Sequence, residues 1–160
     1  MDKLCINPDR IGLDEAYMQM AEVWAKRSKA VRKQVGAIMV KDHQIISDGY
    51  NGMPAGSEGD DDVCEEYSYV DYSEGYEAAK KSIITKPEVL HGESNCLLKI
   101  AKLGGRGAEG STMYVTMSPC PECAKLIIQA KVARVVYREK YRLTAGIDML
   151  MKYKIQVDQI

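Results

Sequence analysis

The chain has 160 residues, 46% hydrophobic and 28% charged, and a formal net charge of -1. That is enough chain for a single domain, 1–160, with a proper core, and too little net charge for a general binder of nucleic-acid polymer. No apolar run approaches the roughly 20 residues that span a bilayer, and "MDKLCINPDR" at the start has no h-region or cleavage pattern. A cytoplasmic location with no membrane contact is the expectation.

In "DEAYMQMAEVWAKR" (14–27), Tyr17, Met20, Ala21 and Trp24 fall at helical spacing behind Asp14 as N-cap. Basic residues cluster in "AKRSKAVRK" (25–33), a local run able to meet a phosphate group despite the near-neutral total. "QVGAIMV" (34–40) and "QIISDGY" (44–50) read as two strands joined by a polar turn at 41–43, a hairpin. "NGMPAGSEGDDD" is rich in turn formers, and 57–78 holds nine acidic residues and no basic one. The acidic, tyrosine-rich stretch, about 57–88 in all, is expected to be an insertion. It reads either as a solvated surface excursion or as a lid or subunit contact.

A helix is expected over 92–103, with Cys96, Leu97, Ile100 and Ala101 on one face and a glycine-rich stop after it. Then follow a strand (111–117), a helix opening on Pro121 (121–130), a strand (133–137), a helix (146–153) and a short strand (154–160). Alternating strands and helices imply parallel pairing with crossover helices, to which the hairpin adds an antiparallel edge. The expected fold is α/β: a three-layer α/β/α domain on a mixed five-stranded sheet.

Five cysteines are an odd set for disulfides, and the close pair Cys120/Cys123 needs another explanation. Three residues apart at a helix start, the two thiols share one face, and the helix N-terminus favours their thiolate forms. A redox pair uses the same spacing. His91 shifts the balance towards a metal, because it too begins a helix, and two crossover helices starting at one sheet edge meet at the ends of neighbouring strands. One histidine and two cysteines leave the fourth tetrahedral position open, as in a catalytic zinc site. Glu93, two residues on, points away from the ligand direction and is placed to move protons. His43 in the hairpin turn, and Cys5, Cys64 and Cys96, read as ordinary structural residues.

His91, Glu93, Pro119, Cys120 and Cys123 match the H-x-E, P-C-x-x-C signature of zinc nucleobase deaminases. "RSKAVRKQVGAIMV", "GYNGMPAG" and "MYVTMSPCPECAKLIIQA" closely resemble the deoxycytidylate (dCMP) deaminase family, over most of 15–60 and 88–142. One departure is Gly92, where that family usually has alanine. The resemblance implies hydrolysis of dCMP to dUMP and ammonia, one catalytic Zn²⁺ per chain on His91, Cys120 and Cys123, and Glu93 as proton shuttle. It further implies Arg27 at the 5′-phosphate with Tyr141 near it, Asn51 on the sugar, the Gly92 backbone at the base carbonyl and the Ser118 carbonyl at the amino group. Activation by dCTP with Mg²⁺, inhibition by dTTP, an effector site near Gly49, Tyr50 and Gly52, and a homohexamer come with it. Two other readings stay open at this point: a deaminase of cytidine, deoxycytidine or a tRNA adenosine, and a non-catalytic zinc-binding module.

Overall fold

The computed structural model describes residues 9–68, 82–104 and 107–160. Tyr69, Tyr72 and Tyr76 of the acidic stretch, and Cys5, lie outside them. The elements, in chain order, are α1 (Leu13–Ala25), β1 (Gly36–Lys41), β2 (Gln44–Tyr50), a 3-10 turn (Gly59–Asp62), β3 (Glu65–Tyr67) and β4 (Ile83–Thr85). Then come α2 (Gly92–Leu103), β5 (Thr112–Met117), α3 (Pro121–Gln129), β6 (Arg134–Glu139), α4 (Ala145–Lys152) and β7 (Gln156–Gln159). Among the described residues, no helix is long and apolar enough to cross a membrane.

Five strands form a mixed sheet in the order β2-β1-β5-β6-β7. β1 pairs antiparallel with both β2 and β5, while β5, β6 and β7 run parallel. The strands alternate their faces as the twofold period of a strand requires. Ile38, Val40, Tyr114 and Val136 pack under α1 with Met18 and Ala21. Ala37, Met39, Met113, Val115, Val135 and Tyr137 pack on the opposite side, against residues of α2, α3 and α4. The result is the expected three layers, and the central strands are apolar on both faces because both are covered. The hairpin turn places Asp42 and His43 at positive φ, the left-handed pair that a tight two-residue turn demands. His43 is therefore a turn residue.

Several local expectations need correction. Gly12, not Asp14, is the N-cap of α1. Asp14 instead accepts two hydrogen bonds from Arg134 (2.9 and 2.8 Å) and one from the Tyr114 hydroxyl (2.6 Å). Met18 is the buried methionine of α1 and Met20 is 44% exposed, because the sheet-facing stripe is rotated by Met18, Ala21 and Ala25. Ala101 is likewise exposed, leaving Cys96, Leu97 and Ile100 to pack α2 on the sheet.

The acidic stretch has structure of its own. β3 and β4 pair antiparallel in a separate two-stranded sheet. Cys64 and Val89 pack with Ala30, a small cluster that fastens this unit to the segment after α1.

Candidate active site

His91 is the N-cap of α2 and Cys120 the N-cap of α3, so both metal-type donors sit where a helix begins. β2 feeds α2 and β5 feeds α3. These strands are not adjacent, since β1 lies between them. They point the same way because β1 is antiparallel to each, and their helices therefore start at the same sheet edge. Glycines let the helices come close. A Cβ on Gly49 of β2 would stand 2.3 Å from Gly92 O and 2.6 Å from Cys96 N, so α2 lies directly on the strand. A Cβ on Gly146 would stand 2.0 Å from Pro119 O, which presses the start of α4 against the loop before Cys120. Asn95 donates to Tyr50 O (2.8 Å), and Gly52 and Leu90 exchange two backbone hydrogen bonds (3.0 and 2.9 Å).

The ligand atoms of His91, Cys120 and Cys123 all lie within 4.8 Å of one another. Zinc bonds of about 2.05 Å to nitrogen and about 2.3 Å to sulfur, at a tetrahedral angle, separate the two donor atoms by about 3.6 Å. His91 Nδ1 lies 3.5 Å from Cys120 Sγ and 3.4 Å from Cys123 Sγ. The donor set and its spacing thus fit a four-coordinate zinc with one open position. The three groups also act on one another's protons. The Cys123 thiol and His91 stabilise the Cys120 thiolate, bringing its pKa down to about 3, while that thiolate and burial push Cys123 up. The Cys120 sulfur raises His91.

Glu93 is only 4% exposed. Burial pushes its carboxyl up to about 6, against the smaller downward effects of a backbone hydrogen bond and of His91. A carboxyl poised near neutral pH beside a metal-donor triangle has the properties of a general base and acid.

His91, Glu93 and Cys120 line a cavity together with Asn51, Ser118 and Tyr141. Ser118 is held by its own N–H to Glu139 O (2.8 Å), and its hydroxyl accepts the N–H of Tyr141 (2.8 Å). The Asn51 amide is already in use: Oδ1 accepts from Val35 N (2.8 Å) and Nδ2 donates to Lys33 O (2.9 Å). Gly92 is buried rather than lining the cavity, and a Cβ there would meet Val35 O at 3.0 Å, so glycine eases the approach of α2 to residue 35. Gly49, Tyr50 and Gly52 dock β2 on α2 and lie outside the lining.

Arg27 is exposed at the end of α1 and does not line the cavity; Arg32 and Lys33, from the same basic run, do. Glu65 and Thr85, from the acidic stretch, also line it and were not singled out from sequence. Arg32 was within the quoted basic run, but nothing in an acidic, turn-rich sequence marks one of its glutamates as belonging to a catalytic wall.

Similarity to known proteins agrees with this geometry. The family model "Cytidine and deoxycytidylate deaminase zinc-binding region" matches residues 12–139. A deoxycytidylate deaminase of Enterobacteria phage T4 is 34% identical over 149 residues, covering 78% of this chain and 76% of that protein. The human deoxycytidylate deaminase is 37% identical over 136 residues, covering 83% of this chain and 68% of its own. The crystal structure of a dCMP deaminase from cyanophage S-TIM5, in complex with dCMP and dUMP, superposes with a TM-score of 0.77 at 38% identity, covering 98% of this chain and all of that one. The matched region contains the whole donor triangle and Glu93, and the chain belongs to the cytidine and deoxycytidylate deaminase family.

Proposed function

We propose that this chain hydrolyses dCMP to dUMP and ammonia. The observation that carries the reading is one cavity with a three-donor metal triangle and a buried carboxyl at one end and Arg32 and Lys33 in its wall. Relatives named deoxycytidylate deaminase, and the cyanophage enzyme with dCMP and dUMP, support the choice of nucleotide.

His91, Cys120 and Cys123 would hold the zinc, the two sulfurs as thiolates that offset its charge. When bound, that ion supplies Lewis acidity and makes a water nucleophilic near neutral pH. Glu93 takes one proton from the attacking water and delivers it to N3 of the base, then takes the proton of the new C4 hydroxyl and delivers it to the departing amine. One C–O bond forms at C4, the C–N bond to the amino group breaks, and Glu93 ends as it began. The Ser118 carbonyl, in the cavity lining, orients the amino group of the base. Arg32 offers a planar fork to the 5′-phosphate, with Lys33 and Tyr141 beside it. Arg32 takes this role instead of Arg27 because it lines the cavity.

The same reading includes activation by dCTP with Mg²⁺, inhibition by dTTP and a homohexamer in the cytoplasm. An effector bound near Gly49, Tyr50 and Gly52 would act on His91 and Glu93 through the docking of β2 on α2. An exposed apolar patch that brings together Ile11, Met20, Val23 and Ile45 supports self-association.

The test is ammonia release from dCMP and from deoxycytidine, with dCTP–Mg²⁺, with dTTP–Mg²⁺ and with neither. Turnover of dCMP alone, raised by dCTP and suppressed by dTTP, is expected. Equal turnover of deoxycytidine would remove the phosphate role from Arg32.

A further inference from the structure

Among the described residues, one buried side-chain nitrogen or oxygen lacks a hydrogen-bond partner, and it is Glu65 Oε2. Glu65 is 8% exposed and lines the catalytic cavity. Its other oxygen, Oε1, accepts the backbone N–H groups of Val31 and Arg32 (3.1 Å each). The carboxyl is thereby locked in position, and one oxygen is withheld from water with nothing to bind. An orphaned buried polar atom costs about 1–3 kcal/mol, so one that persists in a cavity wall calls for a partner brought from outside.

We infer that Glu65 recognises a sugar hydroxyl of the substrate, and that the acidic insertion thereby contributes to specificity as part of the active-site wall. The inference rests on the nucleotide reading above. The base amino group is committed to the Glu93 end, and a phosphate has only acceptors to offer and would meet a second acidic group. A hydroxyl both donates and accepts, so it pairs with Oε2 in either charge state. On 2′-deoxyribose that hydroxyl is the 3′-OH. Contact asks only for a small adjustment of the wall of the kind that side chains commonly make on binding. Glu65 also holds the Arg32 backbone, so the residue that reads the sugar fixes the loop carrying the phosphate ligand.

The experiment compares kcat/KM for dCMP and for 2′,3′-dideoxycytidine 5′-monophosphate in the zinc-loaded wild type, in Glu65→Ala and in Glu65→Gln. Wild type is expected to prefer dCMP by about 10- to 100-fold, the worth of a hydrogen bond to a charged group. In Glu65→Ala the preference collapses to within about 3-fold. General loosening of the site lowers both substrates together and leaves the ratio alone. Glu65→Gln keeps an oxygen for Val31 and Arg32, guarding against misfolding, and lowers the ratio by about 3- to 10-fold. A wild type indifferent to the 3′-OH, or variants with the wild-type ratio, would overturn the assignment while leaving dCMP deamination intact. A zinc-loaded wild type that does not turn over dCMP overturns the nucleotide reading, and this inference with it.

Discussion

At the metal end of the cavity the functional groups stand on helix N-termini docked by backbone hydrogen bonds and close glycine contacts. At the basic end they stand on an irregular segment, 28–35, held by side chains that arrive from elsewhere. Asn51 binds it at 33 and 35, Glu65 at 31 and 32, and Thr85 accepts from the Arg32 guanidinium. Lys29 pairs with Asp62 and Lys33 with Glu139. The first end is rigid because neighbouring elements leave it no room. The second depends on residues distant in sequence, three of them in the acidic stretch. In the proposed reading, chemistry that tolerates little misplacement falls at the first, and recognition of a flexible sugar phosphate at the second.

The sharpest way to break the contrast is Cys123→Ala, which removes one corner of the donor triangle. Zinc content should fall well below one per chain and ammonia release from dCMP should become undetectable. Metal analysis of the purified variant alongside the assay checks both. Glu93→Gln comes next: kcat is expected to fall by about 10²- to 10⁴-fold, with zinc content and substrate affinity near wild type. Loss of zinc in that variant would make Glu93 a structural residue. Gly49→Ala tests whether packing, rather than donor identity, sets the metal end. Its Cβ has no room against Gly92 O and Cys96 N, and a loss of about 1–3 kcal/mol in urea unfolding is expected, with reduced kcat.

Arg32→Ala should raise KM for dCMP by about 10-fold with little change in kcat, and Arg27→Ala should leave KM within about 2-fold. The reverse ranking would return the phosphate to the residue that the family resemblance picked. The smallest effect is expected from Asp14→Asn, which touches neither end. The Arg134 guanidinium holds the Asp14 carboxyl below its ordinary value of 3.8, so the pair stabilises the fold above that pH. The pair is partly solvated, and the variant should lose less than about 1 kcal/mol at pH 7. That deficit should close as pH falls below 3.8 through the lowered folded value. A thermal-melt series over pH measures it.

Much of the sheet was legible because hydrophobic alternation and turn chemistry mark strands locally. β2 and α2 fall where the pattern puts them, and most other described boundaries move by one or two residues. The rotation of α1 was not legible: Met18 and Met20 are the same residue type two positions apart, and only contact with β1 and β5 decides which goes inside. The two short strands at 65–67 and 83–85 were hidden for a related reason. Their pairing gives no buried apolar face, so no periodicity announces them.

By itself the sequence determined the donor types, their order and the helix starts that carry them, because metal ligation and capping depend on residue identity within a few positions. His91, Glu93, Cys120 and Cys123 are legible for that reason. Only the tertiary structure decided which arginine of a basic run turns into the cavity and which acidic residue forms its wall. Arg27 and Arg32 are chemically identical, and Glu65 differs from its neighbours only in what surrounds it. Burial and hydrogen-bond supply are properties of the packed chain, and residues far apart in sequence set them.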